Sequence, residues 1–421
     1  MDLDKAIDWI SVALTSLLFA SFAIFEVIPG GRYVFVGLAG VVLLLRSRGK
    51  FFLDLNPYYI FNALLIAYAA LSSLWAWDSS YALGMSKRMM DTFLCSVLIY
   101  MAYQEDKSPH LLTFSIKISG YIVMAYTIRY YGPRQLVNML LEADRMTNEI
   151  GNVNVYGMSM AYSCVLELLE IVQKKKLTLT CPLVLPAFFV IAATQSRKSL
   201  LIVGLGIVLT AVCYGVDRKH IFLSIIRFAF IGLCAFIVLN ILRNSPYFSG
   251  IMSRMDLITN YVNGGEGVGY SIRERSQLIK LGWDQFLRTP IVGIGFGNAP
   301  VLTALYNDIV YAYLHNNFIE LLCCGGIIGF TVFYARYGYL LIRLIKNYKR
   351  RNNDFFTCII IAVIIIIMDY GFVSYYSKMI QGFQVMMFLQ VESLNRIQTA
   401  PVKNKAVELY RYIKDTEQNI F

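Results

Sequence analysis

The chain has 421 residues, of which 57% are hydrophobic and only 15% charged, and its mean hydropathy is +0.56. That balance excludes an ordinary soluble globular domain. The formal net charge of +11 would suit nucleic acid in a soluble protein. Here Lys and Arg gather in short turns between apolar runs, where they meet anionic lipid headgroups, so no nucleic-acid partner is expected.

In chain order the apolar runs predict spans near 9–29, 32–46, 58–76, 88–103, 111–130, 153–173, 179–195, 199–216, 221–243, 312–342, 355–373 and 376–393. A run of about 17–23 residues crosses a hydrocarbon core of about 30 Å as a helix, and in lipid a helix satisfies its own backbone. The first run has acidic residues before it and no small-residue cleavage site, so it reads as a retained helix rather than a signal peptide. The expected fold is an all-α integral membrane protein of about twelve transmembrane helices with one large extracytoplasmic loop. Helices one to nine take 1–243, the loop takes 244–311, the last three helices take 312–393, and a basic amphipathic cytoplasmic tail takes 394–421.

Orientation follows the Lys/Arg bias of short loops. Arg46, Arg48 and Lys50 mark one side, with Lys174–Lys176, Arg218 and Lys219, and the cluster from Arg343 to Arg351. That side, the cytoplasm, also receives both termini. The other side receives 77–87, 131–152, 196–198, 244–311 and a tight turn near 374. Counting Arg243, the long loop carries six Lys/Arg against five Asp/Glu, so its positive charge is placed at particular points rather than spread as a patch.

Several residues on that outer side carry candidate chemistry. His315 opens a span in HNNFIE (315–320), whereas His110 and His220 fall in cytoplasmic turns. Imidazole titrates near neutrality, so His315 suits a base or hydroxyl partner; a plain helix-end cap is the competing reading. Arg197 occupies a very short outer turn, against the positive-inside trend, and either binds an anion or snorkels. Lys87 and Arg88, at the start of the fourth span, raise the same choice. Arg273 and Arg275 lie in the long loop ahead of Trp283 and Pro290, where a loop helix is expected over 275–288, with Leu278, Leu281, Gly282 and Gln285 at helical intervals and Pro290 ending it. An arginine fork suits phosphate oxygens. Asp369 and Lys117 are intramembrane charges, one facing the outer cavity and the other near the inner third of its span, able to snorkel. Glu320 does not share the helical face of His315. GIGFG (293–297) lacks the strand and spacing of a nucleotide loop and reads as a tight turn against the bundle. The eight cysteines lie in or beside apolar runs, with no metal spacing.

Together these pieces resemble the O-antigen polymerase and O-antigen ligase family of bacterial polysaccharide enzymes. The resemblance rests on SSLWAWD (72–78), GNVNVYG (151–157), SRKS (196–199), Arg275 fifteen residues before Pro290 and its glycine run, and HNNFIE followed by GIIGF (326–330). It covers about 60–395. The family typically places tryptophan four residues after the loop arginine; here Ile279 stands there and Trp283 follows later, so Arg273 and Arg275 both remain candidates, with the proline spacing favouring Arg275.

Such a resemblance implies a glycosyltransferase with a C-type helical fold in the bacterial inner membrane, acting on its extracytoplasmic side. The donor would be a glycan on undecaprenyl diphosphate and the acceptor a saccharide. Membrane lipids, a flippase and a chain-length regulator are expected partners. Arg197, Arg275 and His315 would be catalytic, and Arg273, Arg88, Asn316 and Asp369 would contact substrate. No cofactor and no metal are expected. Ligation of the same donor to lipid A core or another acceptor is the near alternative. A lipid-linked-sugar flippase is the remote one, since twelve spans also describe carriers, though no internal repeat is evident.

Overall fold

The computed structural model describes residues 3–24, 31–47, 55–106, 108–142, 146, 151–215, 270–306, 313–350 and 353–399. Capping residues in the sequence set several helix starts. Asn56, Asp78, Asn152 and Asn316 each stand in extended backbone and accept an amide N–H from the first turn that follows. Pro57 adds the N1 preference for proline.

The helices are α1 (Leu3–Ile24), α2 (Gly31–Ser47), α3 (Pro57–Leu71), α4 (Ser79–Tyr103), α5 (His110–Leu141), α6 (Val153–Lys174), α7 (Val184–Thr194), α8 (Arg197–Gly215), α9 (Tyr270–Arg288), α10 (Ala299–Tyr306), α11 (Asn317–Lys346), α12 (Asn353–Met368) and α13 (Lys378–Thr399). Among the described residues the fold is all-helical, and six helical stretches are long and apolar enough to cross a membrane: Leu3–Ile24, Pro57–Leu74, His110–Leu141, Val153–Lys174, Arg197–Gly215 and Asn317–Lys346. This is a multi-pass membrane protein. A helix stands at every predicted span but the one at 221–243, which lies outside the described residues. The described part of the long loop, 270–306, is largely helical too, in α9 and α10.

The chain folds as two compact units. The first takes Met1–Leu14, Arg32–Leu112 and Tyr270–Phe421, and the second takes Thr15–Gly31 and Thr113–Gly269. In the second, α6 packs on α7 and α8. Lys117 does not snorkel there. It is 2% exposed and pairs with Glu167 at 2.9 Å and with Glu170, while Thr180 holds both Lys117 and Glu167. A buried ammonium with two carboxylates has its charge met inside the protein, which removes the reason to reach for headgroups.

In the first unit α11 packs against α3, α9, α12 and α13. Its hydropathy runs unbroken, yet Gly326 (φ 61, ψ −167) interrupts the helix. The interruption strands backbone groups that a continuous helix would pair, and the segment 290–295 takes them up. The amides of Ile294 and Gly295 donate to the carbonyls of Cys323 (3.0 Å) and Cys324 (2.9 Å), and those of Ile327 and Ile328 donate to Pro290 (2.8 Å) and Ile291 (3.3 Å). A non-helical turn at membrane depth is tolerable only with such internal partners. Further along α11, Arg336 is 1% exposed, donates to Asn62 Oδ1 at 3.3 Å and lies 3.9 Å over the Phe333 ring. The sequence reading had not singled it out.

Candidate functional site

The site is assembled on the GIGFGN segment, 293–298. Besides the α11 break, it grips the SSLWAWD turn before α4. Trp77 N–H donates to the Ile294 carbonyl (3.2 Å), Asp78 N–H to Asn298 Oδ1 (2.8 Å), Asn298 Nδ2 to the Asp78 carbonyl (3.1 Å), and Phe296 N–H to Ser72 Oγ (3.0 Å). Phe296 is fully buried, edge-on to Tyr68 and Tyr375. Gly293 has φ 68, and a Cβ there would lie 2.5 Å from the Cys324 carbonyl carbon, so the tight turn expected of this segment needs glycine. Hydrogen bonds from the Ser80 hydroxyl and amide hold the Asp78 carboxyl below the usual carboxylate range.

The loop helix α9 starts at Tyr270 rather than 275 and ends at Arg288, ahead of Pro290. Its predicted face is the buried one: Leu278 and Gln285 are 0% and 4% exposed. Leu278 joins Leu314, Ile294, Ala299, Leu302, Cys323 and Cys324 in one apolar cluster, against which Leu281 and Ile319 pack. The helix that carries Arg273 and Arg275 is thereby docked on the segment that carries His315. Arg273 is exposed and Arg275 half-buried.

His315 takes a left-handed backbone (φ 56), which is uncommon outside glycine. Its neighbours hold it there. Leu314 N–H donates to Glu320 Oε2 (2.9 Å), Asn316 Oδ1 caps α11 through Ile319 N–H (3.1 Å), and Asn317 N–H donates to the Asp369 carbonyl (2.8 Å). The imidazole packs on the Tyr313 ring, centroids 4.1 Å apart. The charge of Arg275 acts on the same Tyr313 phenol.

Tyr313 also forms part of the wall of a cavity of about 480 Å³, with Arg88, Gly84, Met85, Glu320 and Tyr376. The Arg88 guanidinium lies 4.3 Å over the Tyr376 ring. So His315 packs on Tyr313, and Tyr313 shares the wall of one cavity with Arg88 and Glu320. Asn316 is 2% exposed and serves as a helix cap. Asp369 is fully buried away from that wall. Its Oδ2 accepts from Tyr334 Oη (2.8 Å) and Asn317 Nδ2 (3.2 Å), so it anchors the foot of α11. Glu320, set aside on helical spacing, belongs to the site because it reaches back to Leu314 through space. Tyr313 and Tyr376 carried no signal in the sequence.

Arg197 is the first residue of α8, in the other unit. The SRKS turn packs on the start of α6: a Cβ on Gly157 would lie 2.3 Å from Ser199 Oγ and 3.1 Å from Thr194 Oγ1.

Residues 182–334, which include Arg197, Arg273, Arg275, His315 and Asn316, match the family described as O-Antigen ligase. That similarity covers a little over a third of the chain. Set among apolar helices, the match supports a membrane protein of the glycan-transfer kind. No curated protein matches the chain. Arg88 and Asp369 lie outside the segment that matches the ligase family.

Proposed function

We propose that the protein joins lipid-linked polysaccharide repeats on the outer face of the bacterial cytoplasmic membrane, with both termini in the cytoplasm. The donor is a glycan chain on undecaprenyl diphosphate, and the acceptor is the hydroxyl of another repeat. One observation supports this reading: within the segment that matches the ligase family, His315, in a left-handed backbone, packs on Tyr313 in the wall of a cavity, and the helix that carries Arg275 docks beside it.

The acceptor oxygen attacks the anomeric carbon, and the bond from that carbon to phosphate breaks with its electron pair leaving on the diphosphate. The acceptor proton passes to the His315 imidazole, an effect worth about 10²–10⁴ in rate. Negative charge collects on the departing diphosphate, where Arg275 meets it; one such preorganised donor is worth roughly 2.7–4 kcal/mol. Arg197 is assigned the same role on the family resemblance. Its place at the start of α8 adds a full charge to the partial positive charge of a helix N-terminus, an arrangement that gains from an anion. Arginine charge answers the leaving group directly, so the proposed chemistry is metal-independent. Attack opposite the diphosphate inverts the anomeric configuration. A flippase supplying the donor and a chain-length regulator are the proposed partners.

Ligation is the second reading, favoured by the description of the matched family. It uses the same donor and residues with lipid A core or another molecule as acceptor. Purified protein incubated with lipid-linked repeat alone separates the two. Longer chains on the lipid support polymerisation, and transfer only after another acceptor is added supports ligation. No transfer under either condition overturns the proposal.

A further inference from the structure

The cavity beside Tyr313 holds groups that diphosphate chemistry leaves unused. Its volume of about 480 Å³ lies within the range of small-ligand pockets. Among the described residues its wall carries Tyr81, Tyr313 and Tyr376, a single cation, Arg88, and a single carboxylate, Glu320. Glu320 is 2% exposed, so its carboxyl group is withdrawn from bulk solvent yet lines the cavity, which opens outward past Tyr81 and Arg88. Its two oxygens are used unequally. Oε2 accepts Leu314 N–H at 2.9 Å, and Oε1 has only a 3.4 Å contact from the Tyr375 hydroxyl. Each carboxylate oxygen offers two lone pairs, so Glu320 retains acceptor capacity on the cavity side.

That chemistry selects its ligand. With one acidic and one basic side chain the cavity has no net positive charge to draw a diphosphate, while the carboxyl oxygens accept from hydroxyl donors. Tyrosine rings present apolar faces to the C–H face of a pyranose and a polar edge to its hydroxyls. The Arg88 guanidinium, stacked on Tyr376, adds donors on the same wall. Tyr313 is shared with His315, which puts this space next to the proposed base.

We propose that this cavity is the acceptor-sugar subsite, where Glu320 accepts hydrogen bonds from the hydroxyls of an uncharged pyranose held against Tyr313 and Tyr376. The assignment rests on the glycan-transfer reading above. Glu320 is a binding residue here: it holds the sugar and, through Leu314, the turn that carries His315.

The test uses full-length protein in vesicles, lipid-linked repeat as donor, and the repeat unit on a short alkyl chain as titrated acceptor. Glu320→Gln keeps a carbonyl oxygen for Leu314 N–H and loses the charge. It should raise the acceptor KM about tenfold or more, as expected for a charge-assisted hydrogen bond, and leave the donor KM within about twofold. Gly84→Leu is the second variant, since Gly84 lines the same cavity and a Cβ there meets nothing within 4 Å, so a larger side chain narrows the space. It should raise the acceptor KM as well. An unmoved acceptor KM in both variants overturns this assignment, and so does a parallel rise in donor KM. Parental protein that transfers no glycan overturns the glycan-transfer reading with it, whereas parental transfer with unmoved KM values removes the subsite alone.

Discussion

Asn317 is the joint between the foot of α11 and the turn after α12, and its replacement by alanine is the most informative perturbation of the site's frame. The side chain is fully buried and makes four hydrogen bonds. Oδ1 accepts the amides of Ser374 (2.9 Å) and Tyr375 (3.3 Å), and Nδ2 donates to Tyr334 Oη (2.8 Å) and Asp369 Oδ2 (3.2 Å). Tyr334 and Asp369 still bond each other at 2.8 Å without it, so the uncompensated loss falls on the two amides. At about 1–3 kcal/mol for each stranded buried group, and with the Tyr375 bond already long, Asn317→Ala should cost about 2–4 kcal/mol. Asn317→Asp keeps the acceptor but sets an oxygen 3.2 Å from Asp369 Oδ2, and like charges at that separation repel by about 5 kcal/mol at an effective dielectric of 20. The aspartate variant should therefore be the worse of the two. Thermal unfolding of detergent-purified protein reads the stability, and transfer rate in vesicles reads the effect on His315, two residues upstream. Alanine and aspartate variants that both melt with the parent would refute this account of the joint.

Gly326→Ala forces a side chain into a backbone region that is essentially glycine-only, with its Cβ 2.2 Å from the Ile291 carbonyl oxygen. Strain and clash together should cost about 2–6 kcal/mol, read as loss of folded protein after solubilisation. Lys117→Met leaves Glu167 buried without its ammonium and should cost about 3–5 kcal/mol, while adding Glu167→Leu should recover much of it; a double variant no more stable than the single would contradict the pairing. Asp106, buried beside Arg46, is pushed up to about 6 because desolvation outweighs the guanidinium. Its proton is held more tightly folded than unfolded, so its contribution to stability is complete below about pH 4 and fades as pH rises through 6. Melting temperature measured from pH 4 to 7 should show a component that Asp106→Asn removes.

What the sequence made legible is what local chemistry and periodicity carry. The intervals of Leu278, Leu281, Gly282 and Gln285 gave the docked face of α9, with a start five residues late. Hydropathy located helices but was blind to the break at Gly326, because an apolar composition says nothing of φ and ψ. The pairing of 72–78 with 293–298 depends on contacts across more than 200 positions, as between Asp78 and Asn298, which no periodicity encodes. For the same reason Asp369 reads as facing a cavity when its Oδ2 accepts from Tyr334 and Asn317, and Lys117 reads as snorkelling when two glutamates await it. Glu320 was set aside because helical spacing compares only residues on one helix, and Leu314 precedes it.

The imidazole that packs on Tyr313 is the proposed base. Its most direct test is the single-turnover rate of glycan transfer by His315→Ala in vesicles saturated with lipid-linked donor, with folding checked by thermal unfolding. The rate should fall by about 10²–10⁴ at an unchanged melting temperature. A folded His315→Ala protein that transfers glycan at the parental rate would contradict it.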